Sequence, residues 1–192
     1  YFFYNGGNDS MDTCNKISKF MLKNGYECRV MGIPKTIDND LYGTDHCPGF
    51  GSAAKYIAVT MQEIIRDCAV YTVPAVTIVE IMGRDTGWLT AAAALPHLHG
   101  CDAPHLVYLP EVDFSADRFI ADVREAQKKT RTVIVAVSEG VELEGLDEFQ
   151  SGKVDNFGHK YLSGIGKCLE EMVRDRIGCK VRSVELNILQ RC

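Results

Sequence analysis

Hydrophobic positions along the chain follow two periods, one typical of buried strands and one typical of amphipathic helices. Short apolar or β-branched runs predict strands over residues 1–4, 26–31, 75–81, 106–109, 132–138 and 180–189. Between them, apolar residues recur every three or four positions and predict helices over about 11–23, 50–68, 86–94, 115–128 and 158–177. Strands that alternate with helices predict an α/β fold with a mainly parallel sheet.

Several element boundaries have their own local signals. Asp9 or Ser10 is expected to cap the first helix, and Asn24-Gly25 is expected to end it. Ser115 is the expected cap of the helix that follows it. We expect the aromatic run 1–4 and the run 75–81 to be buried strands, and the acidic stretch 142–155 to be a polar excursion.

Polar residues follow four of the predicted strands directly. They are the Gly6–Ser10 stretch, the Lys35–Asp40 stretch, the pair Gly83-Arg84, and Glu139. Ligands of open parallel sheets bind at the carboxyl ends of the strands. The four strand ends together therefore predict a cleft for an anionic ligand that bears hydroxyl groups.

The stretch from Gly32 to Leu41 carries the strongest chemical signal, and we expect it to begin where a strand ends. Asp38 and Asp40 could divide the work of phosphoryl transfer, one as proton acceptor and one as metal ligand. Lys35 offers a compact charge to a phosphate, and Thr36 and Asn39 can hold the loop in one shape through local hydrogen bonds. The alternative is an ordinary polar turn.

Two further strand ends allow a functional and a structural interpretation. Gly6-Gly7 between a strand and a helix lets backbone amides approach an anion, but such a pair also suits any tight turn. Arg84 is well placed to meet a phosphate, but it could equally pair with Asp85 or Glu80.

Composition and charge exclude several classes of partner. With 21 basic and 26 acidic residues, the net charge of −5 gives no reason to expect nucleic acid or an anionic membrane. The sequence contains no apolar run of about 18 residues, the length that would predict a transmembrane helix. The eight cysteines form no CxxC pair and indicate reduced thiols in a cytoplasmic protein. For His97, His99, Cys101 and His105 we favour a polar loop over a metal site, because their spacing matches no zinc pattern.

These motifs together resemble the phosphofructokinase family. The matching stretches fall in the family's order and spacing across the whole chain: Gly6–Ser10, Pro34–Asp40, Met82–Arg84, Pro110–Val112 and Gln190-Arg191. The resemblance implies a two-lobed, phosphofructokinase-like fold and transfer of a phosphoryl group to the 1-hydroxyl of fructose 6-phosphate. The product, fructose 1,6-bisphosphate, belongs to glycolysis and gluconeogenesis.

The resemblance also implies roles for individual residues. Asp38 matches the catalytic base, and Arg84 matches a sugar-phosphate contact that also stabilises the transition state. Gly7, Asp9, Ser10 and Lys35 would face the phosphoryl donor, and Asn8 and Asp40 would hold Mg²⁺. The expected contacts to substrate are Thr36, Met82, Gly83, Arg84, Glu139, Arg182 and Arg191.

Two substitutions bear on the phosphoryl donor. ATP-using bacterial members have GGDGS and PGTIDND, whereas this chain has Asp9 in place of the last motif glycine and Lys35 in place of the other glycine. The pair resembles the pyrophosphate-dependent branch, because Asp9 would crowd and repel the α-phosphate of a nucleotide. Lys35 by itself is ambiguous, since some ATP-using members also carry PKTIDND, so ATP stays the alternative donor. Asn8 replaces the usual aspartate and would bring no charge to a metal.

The resemblance extends to domain organisation and assembly. Residues 1–50 would form part of the donor-binding lobe, and residues 51–192 would belong mainly to the fructose 6-phosphate lobe. In the family the arginine at the position of Arg182 reaches in from a neighbouring subunit, so a homodimer or homotetramer is expected. Pro104-His105 stands where ATP enzymes carry an effector-binding acid, so allosteric control by that route is not expected. We also expect this chain to be a central part of a longer one and to be inactive by itself.

A function of another class stays open at this stage. A non-catalytic sugar-phosphate sensor on the same fold would bind the same ligand without needing a base at Asp38. A purely structural role would leave four polar strand ends without a purpose.

Overall fold

The computed structural model describes residues 1–143 and 164–192. Two compact units divide the chain, one over Tyr1–Gly51 and the other over Ser52–Cys192. None of the described helices is long and apolar enough to cross a membrane.

The first unit consists of a two-stranded parallel sheet and one long helix. Strand β1 (Phe2–Gly6) pairs with β2 (Val30–Pro34), and α1 (Asn8–Lys23) lies between them in the chain. The helix packs near Gly32, where an added Cβ would lie 2.7 Å from Met11 Sδ. Because side chains alternate along a strand, Phe3 and Met31 point to the opposite face, where they are 63% and 57% exposed.

The second unit contains a four-stranded parallel sheet. Its strands are β3 (Ala75–Ile81), β4 (Leu106–Tyr108), β5 (Thr132–Ser138) and β6 (Lys180–Glu185), in the spatial order β4-β5-β3-β6. The helices within the described ranges are α2 (Phe50–Ala69), which begins within the first unit, α3 (Trp88–Ala92), α4 (Ala116–Gln127) and α5 (Ile165–Arg176). Two 3₁₀ turns cover Leu95–His99 and Asn187–Arg191.

The hydrophobic core of the second unit lies between the sheet and helices α4 and α5. Val76 and Ile78 of β3 meet Phe119 of α4 and Leu169 of α5, and all four are at most 1% exposed. The intervening residues of β3 face the other way, where Thr77 Oγ1 lies 3.2 Å from Cys68 Sγ of α2. Continuous burial on both faces explains why this strand reads as an unbroken apolar run.

The predicted α/β fold with parallel strands is confirmed, but four details of the first unit are wrong. The run 1–4 is not buried, because α1 covers only one face of its two-stranded sheet. The second strand covers Val30–Pro34 instead of 26–31, because its pairing with β1 continues to the end of that strand. It therefore includes the start of the polar stretch. Neither Asp9 nor Ser10 caps α1, which begins at Asn8 after Gly7.

The ends of the second unit's elements are partly wrong as well. The helix predicted over 86–94 is reduced to Trp88–Ala92 and gives way to a 3₁₀ turn that contains Pro96. The last strand ends at Glu185, not at 189, because Asn187 has a positive φ of 46°. Ser115 caps α4 as predicted, accepting from Arg118 N–H at 3.4 Å. The excursion over 142–155 and the start of the helix over 158–177 lie largely outside the described residues.

Candidate functional site

The turn from β1 into α1 brings the backbone close to the first helical turn. Gly6 ends the strand, and an added Cβ there would lie 2.0 Å from Ser10 Oγ, so only glycine fits. Gly7 is the N-cap and its carbonyl accepts from Met11 N–H at 3.1 Å. Asp9 is exposed in the first turn, where the positive end of the helix dipole favours a carboxylate.

The loop that follows β2 is held by its own side chains, as the sequence predicts. Thr36 Oγ1 accepts from the backbone N–H of Asp38 at 3.1 Å. Asn39 adopts a φ of 59° and is buried; its Nδ2 donates to Asp45 O and its Oδ1 accepts from Cys47 N–H. These bonds fix the backbone on both sides of Asp38 and Asp40, and Lys35 beside them is exposed.

Asp40 and Asn8 join this loop to the start of α1. Asn8 Nδ2 donates to Asp40 Oδ2 at 2.8 Å, so the amide nitrogen faces the carboxylate. Asp38 and Asp40 are both half-buried and stand two residues apart in the held loop. The loop therefore presents two carboxylates of restricted geometry beside an exposed lysine, which suits a phosphate ligand with a metal ion.

In the second unit, the turn after β3 is built from backbone groups held by side chains. Met82 N–H donates to Gln190 Oε1 at 3.0 Å, and Gly83 N–H donates to Glu139 Oε1 at 3.2 Å. Ser138 Oγ donates to Gly83 O at 2.6 Å. The structure thus brings Met82, Gly83 and Glu139 together at the carboxyl ends of β3 and β5.

Glycine is required at two points of this turn. Gly83 has a φ of 137°, and a Cβ there would lie 2.4 Å from Thr86 O. A Cβ on Gly140 would lie 1.9 Å from Arg84 O, so the segment after β5 touches the backbone of Arg84 directly. Arg84 itself is exposed beyond this packed backbone, at the same edge of the sheet.

A profile of the Phosphofructokinase family matches residues 1–192, the whole chain. This chain belongs to the phosphofructokinase family. The match confirms the resemblance that the motifs predict.

Relatives and solved structures of the family match most or all of the chain. It is 44% identical to the pyrophosphate--fructose 6-phosphate 1-phosphotransferase of Halomonas elongata, covering 100% of this chain and 46% of that protein. It is 35% identical to an ATP-dependent 6-phosphofructokinase of Corynebacterium efficiens, covering 92% of this chain and 49% of that protein. A crystal structure of the pyrophosphate-dependent phosphofructokinase of Nitrosospira multiformis matches with a TM-score of 0.76 and 38% identity, over 100% of this chain and 45% of that one. The chain thus spans about half the length of the relatives it matches.

Within the phosphofructokinase fold, the two arginines near the C-terminus lie in different places. Arg191 is exposed and ends the 3₁₀ turn after β6. Arg182 lies in the middle of β6, opposite Thr77 of β3, and its Nη2 contacts Asp67 Oδ2 at 3.1 Å. Its guanidinium also stacks over the ring of Tyr71, 4.9 Å from the centroid. The structure does not bring Arg182 to the edge of the sheet that carries Met82 and Gly83.

The oxygen atoms around Asp40 fit the ligands that Mg²⁺ prefers. Asp40 Oδ1 is buried and, among the residues that the structure describes, has no hydrogen-bond partner. No three His, Cys, Asp or Glu side chains in the described ranges could hold a metal by themselves. Mg²⁺ is usually held by one or two carboxylates with water and substrate phosphates, so Asp40 suits such a site. Asn8, which donates to Asp40, orients this carboxylate in the arrangement seen here.

The sequence does not show that two polar residues of the second unit, Glu80 and Gln190, are buried. Glu80 of β3 is 5% exposed, and its carboxylate accepts from the backbone N–H groups of Gly164 and Gly166 at 3.3 and 2.8 Å. Burial raises the pKa of Glu80, and these bonds oppose the rise. Gln190, named above, is the other. Glutamate and glutamine are usually exposed, and only the tertiary contacts show that these two are buried.

His97 and His105 contact backbone groups. The ring nitrogens of His97 lie 2.8 Å from Cys101 O and 3.0 Å from Pro104 O. His105 Nδ1 accepts from Ile134 N–H at 2.9 Å, and burial lowers the pKa of this ring. These contacts fasten the segment before β4 to β5.

Proposed function

We propose that the protein that carries this chain transfers a phosphoryl group from pyrophosphate to the 1-hydroxyl of fructose 6-phosphate. The products would be fructose 1,6-bisphosphate and phosphate, in a reaction open to both glycolysis and gluconeogenesis. The observation that carries this proposal is the held loop with Asp38 and Asp40, in a chain 44% identical to an enzyme named for this reaction.

In the proposed reaction, Asp38 accepts the proton of the 1-hydroxyl while the oxygen attacks the phosphorus of pyrophosphate and phosphate leaves. Thr36 supports this role because its hydroxyl accepts from the Asp38 N–H and restricts the loop. Thr36 would also contact the substrate. Mg²⁺, held by Asp40 with the support of Asn8, would neutralise charge on the phosphates.

The sugar phosphate would be bound by residues of the second unit. Met82 and Gly83 would contact it, and Glu139 would contact a sugar hydroxyl. Arg84 and Arg191, both exposed, would supply charge to the phosphate and, in the case of Arg84, to the transition state. We assign residues 51–192 mainly to this sugar-phosphate lobe and residues 1–50 to the donor lobe.

Asp9 and Lys35 support pyrophosphate over ATP as donor. A carboxylate at Asp9 would repel and crowd the α-phosphate of a nucleotide, whereas Lys35 would supply charge to a donor that brings no adenosine. Gly7 and Ser10 would complete the donor contacts. The 44% identity to the pyrophosphate-dependent relative of Halomonas elongata agrees with this choice.

The assembly and the location of the protein are part of the same proposal. Arg182 would reach the active site of a neighbouring subunit, so we propose a homodimer or homotetramer that works in the cytoplasm.

The donor is tested by assaying fructose 6-phosphate phosphorylation in the full-length protein with Mg²⁺ and either pyrophosphate or ATP. We expect turnover with pyrophosphate only. Turnover with ATP only would retain the enzyme class but remove the roles given to Asp9 and Lys35. Turnover with neither donor, with fructose 6-phosphate still bound, would favour a sensor.

Asp9→Gly should then raise ATP turnover by about tenfold or more, because it removes both the bulk and the charge. Asp9→Asn keeps nearly the same size without the charge, and it separates repulsion from crowding. Unchanged ATP turnover in both variants would rule out this account of donor choice.

A further inference from the structure

Gln190 is a buried amide whose two ends are both engaged by backbone. Only 1% of the residue is exposed. Its Oε1 accepts from Met82 N–H at 3.0 Å, and its Nε2 donates to Asn187 O at 3.0 Å. An amide is the neutral side chain that accepts at one end and donates at the other, so this site uses both ends of the glutamine side chain.

These two bonds join segments that are far apart in the chain. Met82 begins the turn after β3, and Gln190 lies 108 positions later in the 3₁₀ turn Asn187–Arg191. Arg191 is the next residue along the chain. The side chain of Gln190 therefore ties the turn that carries Gly83 and Arg84 to the turn that carries Arg191.

The 3₁₀ turn depends on the same side chain for its shape. Asn187 has a φ of 46°, a conformation that few non-glycine residues adopt. The bond from Gln190 Nε2 closes the turn over the carbonyl of Asn187. Loss of this bond would remove one restraint on the turn that carries Arg191.

The other contacts of the Met82–Gly83 turn come from β5 and the residue after it. Ser138 Oγ holds Gly83 O, and Glu139 Oε1 accepts from Gly83 N–H. Of the contacts described here, the one from Gln190 is the one that connects the turn to the segment of Arg191. Together with the bond from Leu186 N–H to Glu80 O, at 3.3 Å, it restrains the spacing of two groups that must fit one ligand.

We propose that Gln190 is a positioning residue that holds the Met82–Arg84 turn and Arg191 in register for the sugar phosphate. The inference rests on the proposed function. Gln190 touches no ligand in this assignment; it acts through the backbone of Met82 and through the turn of Arg191.

The test compares Gln190→Met and Gln190→Glu in the full-length protein. Methionine keeps the length but removes both hydrogen bonds, whereas glutamate keeps the acceptor for Met82 N–H. The matched control is Gln127→Met, at the half-buried end of α4. Affinities for fructose 6-phosphate and for pyrophosphate are measured separately by calorimetry, together with kcat, KM and thermal unfolding.

We expect Gln190→Met to weaken fructose 6-phosphate binding by about tenfold or more while pyrophosphate affinity changes by less than about twofold. Gln190→Glu should also lose affinity, because it keeps the bond to Met82 N–H but places a buried carboxylate oxygen against Asn187 O. The control should bind both ligands as the unmodified protein does. If Gln190→Met does not fold, Gln190→Glu still decides through the ratio of the two affinities.

Two results would overturn the proposal while leaving the proposed function intact. One is unchanged fructose 6-phosphate affinity in both variants. The other is a parallel loss of both affinities together with thermal stability, which would mean that Gln190 only maintains the fold. An unmodified protein that binds no fructose 6-phosphate would overturn the proposed function and this inference with it.

Discussion

At the scale of single residues, several polar side chains of this chain hold backbone rather than face water. Asn39, Glu80 and Gln190 are each at most 7% exposed, and each bonds to two backbone groups. Buried polar groups are costly unless they are paired, so each of these contacts specifies one local arrangement. Residues with proposed ligand contacts are sequence neighbours of two of them: Asp38 and Asp40 flank Asn39, and Arg191 follows Gln190.

Asp38 is the residue on which the enzymatic assignment depends most. Asp38→Ser removes the proposed base, and we expect kcat to fall by about 10³-fold while fructose 6-phosphate affinity changes by less than about twofold. Steady-state kinetics and calorimetry on the full-length protein measure both. Asp45→Ser, an exposed position nearby, is the control. If turnover survives in Asp38→Ser, the base lies elsewhere.

Asn39 determines the shape of the loop that carries Asp38 and Asp40. Asn39→Ala removes two hydrogen bonds at a φ of 59°, so the free energy of unfolding should fall by about 1–3 kcal/mol. Glycine adopts this φ without strain but also lacks the two bonds, so Asn39→Gly should lose less stability than Asn39→Ala. Chemical denaturation measures both, with the exposed Asn15→Ala of α1 as control. Equal stability of Asn39→Ala, Asn39→Gly and Asn15→Ala would show that the two hydrogen bonds of Asn39 do not hold the loop.

At the scale of elements, strands and helices are joined at the carboxyl edge of the sheet by side chains that cross between them. Glu80 of β3 accepts from the residues that start α5, and Glu111 accepts from Gly87 N–H at 2.7 Å just before α3. Carboxylates at helix N-termini meet unpaired N–H groups and the positive end of the dipole. These pairs fix where each helix begins relative to the sheet.

Glu80, whose carboxylate contacts the start of α5, should make the free energy of unfolding depend on pH. Burial raises the pKa of Glu80 above its ordinary value of 4.5, so the folded protein binds this proton more tightly than the unfolded chain does. The free energy of unfolding should therefore fall, by up to about 1.4 kcal/mol per pH unit, as pH rises from 4.5 through the raised pKa.

Urea denaturation across this pH range measures the effect of Glu80. Glu80→Gln should remove this component of the slope, because glutamine does not titrate. Glu171→Gln, at an exposed residue of α5, controls for the loss of one charge. An identical pH dependence in Glu80→Gln and the unmodified protein would contradict the prediction.

At the scale of the whole molecule, Arg182 connects the fold to assembly. It lies in the middle of the edge strand β6, held by Asp67 and stacked on Tyr71. The other proposed sugar-phosphate residues of this unit lie after the carboxyl ends of strands or, in the case of Arg191, at the end of the 3₁₀ turn. A role in the active site of a neighbouring subunit accounts for this separation, and it stays a proposal.

Mixing two inactive variants tests this role of Arg182. Arg182→Ala and Asp38→Ser should each be inactive alone. Unfolded together and refolded as mixed dimers, they should regain up to about a quarter of full activity, because half the dimers are hybrids with one intact site. Size-exclusion chromatography establishes the assembly, and Arg182→Ala mixed with itself is the control. No recovery in verified hybrids would place Arg182 in its own subunit's site or in none.

Much of the fold could be predicted because buried parallel strands and amphipathic helices leave strong periodic patterns. Strand β3 and the cap of α4 at Ser115 were predictable from their residues. The end of β2 was not, because its ladder with β1 overrides the local signal of Pro34. The end of β6 could not be predicted, because the turn at Asn187 is held by Gln190, three residues later. The side chain of Gln190 is in turn held by Met82, which is 108 positions away in the chain.

The sequence by itself determined the family, the order of strands and helices, and the polar motifs at the strand ends, because these depend on residue type and spacing. Only the tertiary structure decided which strands are neighbours, that Glu80 and Gln190 are buried, and that Arg182 lies away from Met82 and Gly83. The physical reason is that burial and pairing depend on groups far apart in the chain. The type of a residue limits which hydrogen bonds and contacts its side chain can make. Which of these it makes depends on the residues that the folded chain places beside it.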